Sequence, residues 1–328
     1  MQAGGVTHVQ FSSLVTHDFD ELANAFHRWK HRFRQLGRGP FQGKIELLQV
    51  GGIQIARVAA SRMFHAEGVL PPGSFCCAPV LTTNEGAVWR GKRLKAGQAR
   101  VLVPGEAMDH VTTADYQTLI LLADSQLCRE TASGLYGFDP QERLEEYGAI
   151  RAHPLRVAAF CSHLSALLDN VAWRTHLLAD PQAAYLAEQG CVRRFLGLLA
   201  QAEHLSTSAR PPSCAALVRR AEEYLAAHLS QPPTLVHLCR ELGVSERTLH
   251  YAFQEVRGMS PKAYIKARRL NAVRQELKTR AGPTVYQVAQ RWGFHHPGEF
   301  AADYQRLFGE LPSTTLTGKS TPVSPCHQ

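Results

Sequence analysis

The residues of this chain that are best suited to contact nucleic-acid bases lie together in its last third. Ser245 is a residue type that caps helices. The helix that follows would carry three side chains at outward or marginal positions near its start: Arg247, His250 and Tyr251. An arginine can pair with O6 and N7 of guanine, a histidine can bind phosphate, and a tyrosine can stack. These side chains predict contacts in the major groove of a duplex.

Two helix-turn-helix patterns supply the elements that must position such side chains. They cover residues 235–256 and 285–308, and each joins a short apolar helix to an amphipathic helix through a glycine, Gly243 or Gly293. Glycine permits the left-handed backbone that such a turn requires. A plain packed helical hairpin is the alternative for one such pattern, but the second copy favours DNA reading.

A long basic helix is predicted between the two patterns. Ser260 and Pro261 form a start signal, and the helical pattern continues to Lys278. A helix of this length spans roughly 26 Å at about 1.5 Å per residue, which suits two recognition helices in successive major grooves. Lys262 and Arg269 are its predicted DNA contacts, although some of the basic residues here would simply be solvated.

The second recognition helix is predicted to begin near His296 or Pro297. His295 and His296 can contact phosphate, and Glu299 can accept a hydrogen bond from cytosine N4. Cationic side chains are scarce in this helix. It is therefore expected to read fewer bases than the first, with more reliance on DNA shape and backbone.

At these residues the chain resembles the AraC/XylS family of bacterial transcription regulators. The resemblance covers roughly residues 213–317 and is carried by LCRELGVSERTLHYAFQEVRGMSPKAYIKARRLNAVRQEL and VYQVAQRWGFHHPGEFAADYQRLFGELP. Within the family, RRLNAVRQEL and WGFHHPGEFAADYQRLFGELPSTTL look most like the ethanolamine operon regulator and its relatives. The family commonly has polar residues where this chain has Pro297 and Gly298, which argues against strong base readout there.

The resemblance implies a transcription activator that binds double-stranded promoter DNA, works with RNA polymerase and catalyses no reaction. It also implies an N-terminal domain that binds a small-molecule effector and supports a homodimer. By resemblance alone, that effector is ethanolamine, cobalamin or both. The expected location is the bacterial cytoplasm, at the nucleoid when DNA is bound, with no metal site.

Residues 1–205 are predicted to form this effector and dimerisation domain. An amphipathic helix is expected over 18–36. Short strands follow, beginning with a hairpin around Gly51 and Gly52 and continuing at 74–80, 87–90, 100–104 and 117–122. Long helices are expected at 154–177 and 181–204. These helices would either pack within the domain or form a dimer interface.

The predicted fold class is therefore α+β. It combines an N-terminal small β-barrel or sandwich with flanking helices and a C-terminal all-α domain, in which a long helix joins two helix-turn-helix units. A linker is expected at 206–213, the DNA-binding domain at 214–317 and a flexible tail at 318–328.

The charge and cysteine content agree with this interpretation. The formal net charge of the 328-residue chain is +8, and residues 213–317 hold 14 Lys and Arg against 9 Asp and Glu. A basic excess of this kind favours an anionic partner. The eight cysteines include no CxxC pair, so buried thiols are expected. From the sequence we also expect no signal peptide and, because no apolar run is long enough, no membrane span.

Three alternatives remain open from the sequence. A metal-dependent cupin-type enzyme would need clustered ligands; His65 and Glu67 are present, but no HxH pair occurs. A DNA-repair methyl acceptor would need an activated cysteine, and Cys76-Cys77 lies in an apolar stretch. A constitutive DNA-binding regulator without an effector would share the C-terminal pattern.

Overall fold

The computed structural model describes residues 8–26, 29–81, 86–95, 97–144, 149–204, 213–279 and 283–318. The chain divides into two compact units. Met1–Phe33 and Gln42–Pro211 form the first, which we call the β unit, and Arg34–Phe41 and Pro212–Gln328 form the second, the helical unit. Residues 206–212 of the predicted linker and 319–328 of the predicted tail lie outside the described residues.

Strands dominate the first half of the chain. Their bounds are β1 Val9–Thr16, β2 Lys30–Gln35, β3 Gly43–Val50, β4 Ile53–Ala60, β5 Phe64–Val69, β6 Ser74–Pro79, β7 Val88–Trp89, β8 Lys92–Arg93, β9 Gln98–Leu102, β10 Ala107–Val111, β11 Tyr116–Asp124, β12 Ala149–Arg151 and β13 Glu203–His204. Helices of the β unit are α1 Phe19–Asn24, α2 Ser125–Tyr136, α3 Pro140–Leu144, α4 Pro154–Asp169, α5 Val171–Ala179 and α6 Pro181–Ala200.

The strands form two antiparallel sheets. The eight-stranded sheet has the order β1-β3-β4-β11-β6-β9-β12-β13, and the five-stranded sheet has the order β2-β5-β10-β7-β8. The predicted hairpin is present as β3 and β4, with Val50 opposite Ile53 and Gly51 at φ +53°. The α+β class is confirmed, with a sandwich of sheets rather than a closed barrel.

The predicted helix over 18–36 is wrong. Asp18 does cap a helix, since its carboxylate accepts from the backbone N–H of Asp20 at 2.8 Å, but that helix ends at Asn24. The strand β2 then begins at Lys30. His31 and Phe33 stack with ring centroids 4.8 Å apart, as residues two apart on one face of a strand do. The spacing of the aromatic residues in this segment fits both the period of a helix and the two-residue period of a strand, and tertiary packing favours the strand.

The core of the β unit lies between the eight-stranded sheet and the helices. Phe75 of β6 packs near Phe195 of α6, and both side chains are buried. The single helix predicted over 154–177 is divided into α4 and α5 at Asn170, whose side chain caps α5. Part of the predicted apolar face of α4 is exposed, including Leu155.

The helical unit contains seven helices in its described residues. They are α7 Ser213–Ala227, α8 Leu235–Leu242, α9 Glu246–Arg257, α10 Pro261–Thr279, α11 Val285–Arg291, α12 Pro297–Phe308 and α13 Pro312–Thr317. The 19 residues of α10 span about 28 Å. In the described part of both units, no helix is long and apolar enough to cross a membrane.

Candidate nucleic-acid interface

The first helix-turn-helix consists of α8 and α9. Thr234 caps α8 by accepting from the backbone N–H of His237 at 3.2 Å, and Gly243 ends it at φ +68°. Ser245 then caps α9, because its hydroxyl accepts from the backbone N–H of Thr248 at 3.1 Å. The cap at Ser245 and the turn glycine therefore act as the sequence predicts.

The two faces of α9 are sharply different. Its inner face is buried and consists of Leu249, Ala252, Phe253 and Val256. Arg247 and His250 are exposed on the other face, and Tyr251 is 63% exposed although it is a large aromatic residue. Within the described ranges no acidic side chain pairs with Arg247. The first half of α9 thus offers a cation, an imidazole and a phenol to a partner in solvent.

A buried ion pair attaches α9 to α7. The guanidinium of Arg257 on α9 donates from Nε and Nη2 to the two carboxylate oxygens of Glu222 on α7, each at 2.7 Å. Tyr264 on α10 donates its hydroxyl to the same carboxylate. Burial raises the pKa of Tyr264, and the charge of Glu222 adds to this effect, so the phenol stays protonated as a donor. Three helices therefore meet at one carboxylate.

Three basic residues of α10 contact other residues of the helical unit. The ammonium of Lys266 is 2.7 Å from Asp303, and Arg274 Nε is 3.3 Å from Glu310. Arg269 donates from Nε to the carbonyl oxygen of Trp292 at 2.8 Å, and its guanidinium lies 4.1 Å from the ring centre of Phe294. Burial lowers the pKa of Arg269.

Lys262 differs from these cations. It is exposed in the first turn of α10, and the described residues include no ion-pair partner for it. The sequence pattern gave Lys262 and Arg269 the same role, because both are basic residues of one helix. The structure leaves Lys262 available to a phosphate and places Arg269 against the turn of the second helix-turn-helix.

The second helix-turn-helix consists of α11 and α12. Thr284 and Gln287 form a reciprocal capping box at the start of α11. At the start of α12, His296 occupies the cap position without a side-chain hydrogen bond, and Pro297 follows. Exposed side chains here are His295, His296 and Glu299. The acidic Asp303 further along α12 is already paired with Lys266 and Arg306.

Residues 34–41 are a part of the helical unit that the sequence did not reveal. The backbone N–H of Gln35 donates to Asn271 Oδ1 at 3.0 Å, and Asn271 Nδ2 donates to the carbonyl oxygen of Gln35 at 2.9 Å. The Gln35 side chain also donates to the carbonyl oxygen of Leu307 at 2.6 Å. This segment therefore contacts both α10 and α12. Gln35 and Asn271 are 236 residues apart in sequence, so no local sequence pattern indicates their contact.

The cysteines of the β unit are unsuited to nucleophilic chemistry. Burial raises the pKa of Cys76 to about 12 and that of Cys77 well above its usual value. A thiol that reacts needs a lowered pKa, since the thiolate is the nucleophile. This observation argues against the methyl-acceptor alternative. All seven described cysteines are free.

Comparison with known proteins agrees with the geometry of the helical unit. A family model described as a helix-turn-helix domain matches residues 238–318. A probable thc operon regulatory protein of Rhodococcus erythropolis is 42% identical over 127 residues, which are 37% of this chain and 38% of that protein. XylDLEGF operon transcriptional activator 3 of Pseudomonas putida is 26% identical over 255 residues, 76% of this chain and 75% of that protein.

Among solved structures, the AraC-like transcriptional activator CuxR aligns with a TM-score of 0.44 and 15% identity, over 81% of this chain and 96% of that chain. The helix-turn-helix pair and the sequence relatives define a DNA-binding protein rather than an enzyme. The helix-turn-helix domain of the chain is similar to those of operon regulators. Particular closeness to the ethanolamine operon regulator is not shown by these relatives.

Proposed function

We propose that this protein is an effector-responsive activator of a catabolic operon that chooses its DNA site mainly with α9. The observation that carries the proposal is the exposed group of Arg247, His250 and Tyr251 at the start of a helix whose other face is buried. A recognition helix enters the major groove with its N-terminal half toward the bases. The buried pair Arg257–Glu222 attaches the C-terminal end of α9 to α7.

The remaining proposed contacts either position the protein on the DNA backbone or follow the shape of the DNA. Ser245 lies at the N-terminus of α9, where backbone N–H groups favour phosphate, and Lys262 is a second phosphate contact. At and just before the start of α12, His295, His296 and Glu299 contact the second groove with less base selectivity. Arg269 is left out of the proposed interface, because its donors are directed at Trp292.

Removal of the Arg247 side chain is the direct test of base reading by α9. We expect Arg247→Ala to cost about 1–3 kcal/mol at one operator position and to relax the base preference there, since a bidentate pair with guanine is lost. The measurement is binding of the full chain to an operator and its single-base variants. Arg220→Ala is the matched control, because it removes an exposed cation from α7. An unchanged preference in Arg247→Ala would refute the assignment.

Lys262 is expected to act through a phosphate. Lys262→Ala should weaken binding to all sequences alike and reduce the slope of log K against log salt by about one unit, because one fewer counterion is released. Fluorescence titrations at several salt concentrations measure the slope, again beside Arg220→Ala. A slope equal to that of the wild type would remove Lys262 from the interface.

Activation requires more than DNA binding. We propose that the DNA-bound protein recruits RNA polymerase, and that the effector binds in the β unit. Large apolar side chains are exposed on α4, α5 and α6, notably Leu155, Trp173 and Leu186, and support a homodimer through these helices. The proposed location is the bacterial cytoplasm. Transcription from the operator-bearing promoter, with and without the protein, tests activation.

The identity of the effector is a separate part of the proposal. Ethanolamine and cobalamin are candidates by family resemblance alone. A thermal-shift screen of the full chain with these compounds and small amines tests them. If the protein activates its promoter fully in the absence of any added compound, the constitutive alternative is correct.

A further inference from the structure

A groove in the β unit is lined by the three helices α4, α5 and α6. Its volume is about 430 Å³, and small-molecule sites commonly measure roughly 300–1,000 Å³. The described lining residues belong to these helices, together with Asp180, which caps α6. The groove is therefore formed by packed helices and does not involve the two sheets.

Small and apolar side chains make up most of this groove. Ala183, Ala187 and Gly190 lie on one face of α6, because they are four and three residues apart. Together they extend over about 10 Å of the helix. Leu167 of α4 is buried in the same groove, and Trp173 of α5 lines it with a ring that is half exposed. The groove therefore suits an apolar body of about 10 Å.

Two nitrogen groups lie beside Gly190 at one end of this face. A Cβ at Gly190 would be 3.3 Å from Arg194 Nη1 and 3.7 Å from His163 Nε2. Arg194 Nη1 donates to the carbonyl oxygen of Gly190 at 3.1 Å, and no acidic side chain among the described residues pairs with this guanidinium. His163 Nε2 is buried without a hydrogen-bond partner in the described part of the chain. This end of the groove thus offers a cation and an unused imidazole nitrogen.

The charges of the groove differ between its two ends. Burial lowers the pKa of His163, and the positive charge of Arg194 adds to this effect, so the imidazole is neutral at neutral pH. The carboxylate of Asp180 lies at the start of α6, 3.7 Å from His176, and repels an anion there. Arg194 follows 14 residues later, which is about 21 Å along the helix. An anionic group is therefore stabilised at the Arg194 end.

We propose that this groove binds an organic anion whose carboxylate contacts Arg194 and His163 and whose apolar body lies along Ala187 and Ala183. A guanidinium matches a planar carboxylate in shape and charge, and an imidazole N–H donates to a carboxylate oxygen. The ring of Trp173 favours a body that is itself planar. The inference concerns binding alone and does not depend on the function proposed above.

Three probes of one shape separate charge from apolar contact. They are 4-phenylbutyrate, 4-phenylbutanamide and 4-phenylbutylamine, and isothermal titration calorimetry measures their affinity for the full chain. We expect the carboxylate to bind about 10-fold more tightly than the amide, which is the range for a hydrogen bond to a charged group, and the amine to bind no better than the amide. No binding of the carboxylate at millimolar concentration, or equal binding of the amine, would overturn the proposal.

Substitutions in α6 assign the carboxylate to its partner. Arg194→Gln should weaken binding of 4-phenylbutyrate by about 10-fold, because the charged donor is lost. Arg193→Gln is the matched control, since it removes an exposed cation from the same helix at a position that does not line the groove. Equal affinities in the two variants would show that the anion does not bind at Arg194.

Ala187→Leu tests the apolar part of the site. The larger side chain would occupy the groove, so we expect it to abolish binding of 4-phenylbutyrate. Thermal unfolding without the probe checks that the variant is folded, as its half-buried position on α6 favours. Unchanged affinity in the folded variant would contradict the site, and if the variant does not fold, the comparison of Arg194→Gln with Arg193→Gln decides.

A second copy of this chain is the competing occupant, because Trp173 and Leu186 also belong to the apolar surface proposed above for a homodimer. Sedimentation velocity of the same samples distinguishes the two. We expect Ala187→Leu to retain the self-association of the wild type while it loses the anion. Loss of self-association in this variant, together with no anion bound to the wild type, would assign the groove to the second copy and overturn the inference. If the wild type is monomeric, the proposed homodimer fails, and the calorimetry still decides the anion site.

Discussion

Glu222→Ala is expected to destabilise the helical unit by about 3–5 kcal/mol, which is the usual cost of removing one partner of a buried ion pair. Arg257 is 2% exposed, so its guanidinium is shielded from solvent in the folded protein. Tyr264 would lose the acceptor of its hydroxyl at the same time. Because this carboxylate joins α7, α9 and α10, the recognition helix α9 should lose protection first.

The neighbouring residue provides the control. Glu223 is on the same helix, but its carboxylate is exposed and lies 3.8 Å from Arg219 one turn earlier. Glu223→Ala should cost less than about 1 kcal/mol, as exposed pairs do. Hydrogen–deuterium exchange of the α9 amides in the full chain measures both variants. Equal protection in the two variants would show that the buried pair does not hold α9.

Gly309→Ala is the second substitution with a large expected effect. Gly309 follows α12 with φ +76°, and a Cβ there would lie 2.6 Å from the backbone N and 2.8 Å from the Cα of Pro40. Backbone atoms cannot rotate away, so residues 34–41 or the end of α12 must shift. We expect a loss of about 2–4 kcal/mol from the left-handed strain and the overlap together.

Gly243→Ala measures the backbone strain of the left-handed conformation without a steric overlap of the added Cβ. Gly243 has φ +68°, and a Cβ there would meet no atom within 4 Å. Its substitution should cost about 1 kcal/mol, the penalty for a side chain in the left-handed region. Exchange at the α10 and α12 amides, compared between the two variants in the full chain, tests the difference. If Gly309→Ala is no worse than Gly243→Ala, the packing of residues 34–41 on this unit is not as described.

Local patterns in the sequence were sufficient to predict the helix-turn-helix units. Ser245 caps the helix predicted for it, and Gly243 adopts the expected left-handed backbone. These features depend on neighbours three or four residues away, which a single sequence displays. The exposed Arg247 follows from the same helical period, since the apolar face of α9 decides which residues are left outside.

Contacts between segments that are far apart in the chain could not be predicted from the sequence. Lys262 and Arg269 look alike along α10, and only the position of Trp292 distinguishes them. The helix predicted over 18–36 failed because its aromatic spacing also suits a strand, and pairing in a sheet is not a local property. Arg100 on β9 is buried, which the sequence does not indicate, because an arginine in a strand is ordinarily exposed.

We propose that α9 reads bases and that α12 mainly follows DNA shape. Selection of bound sequences from a random duplex library by the full chain tests it most directly. We expect a site with two elements about 10 base pairs apart, of which one is strongly constrained in sequence and the other only weakly. Two elements of equal sequence constraint, or a strong element that Arg247→Ala leaves unchanged, would contradict it.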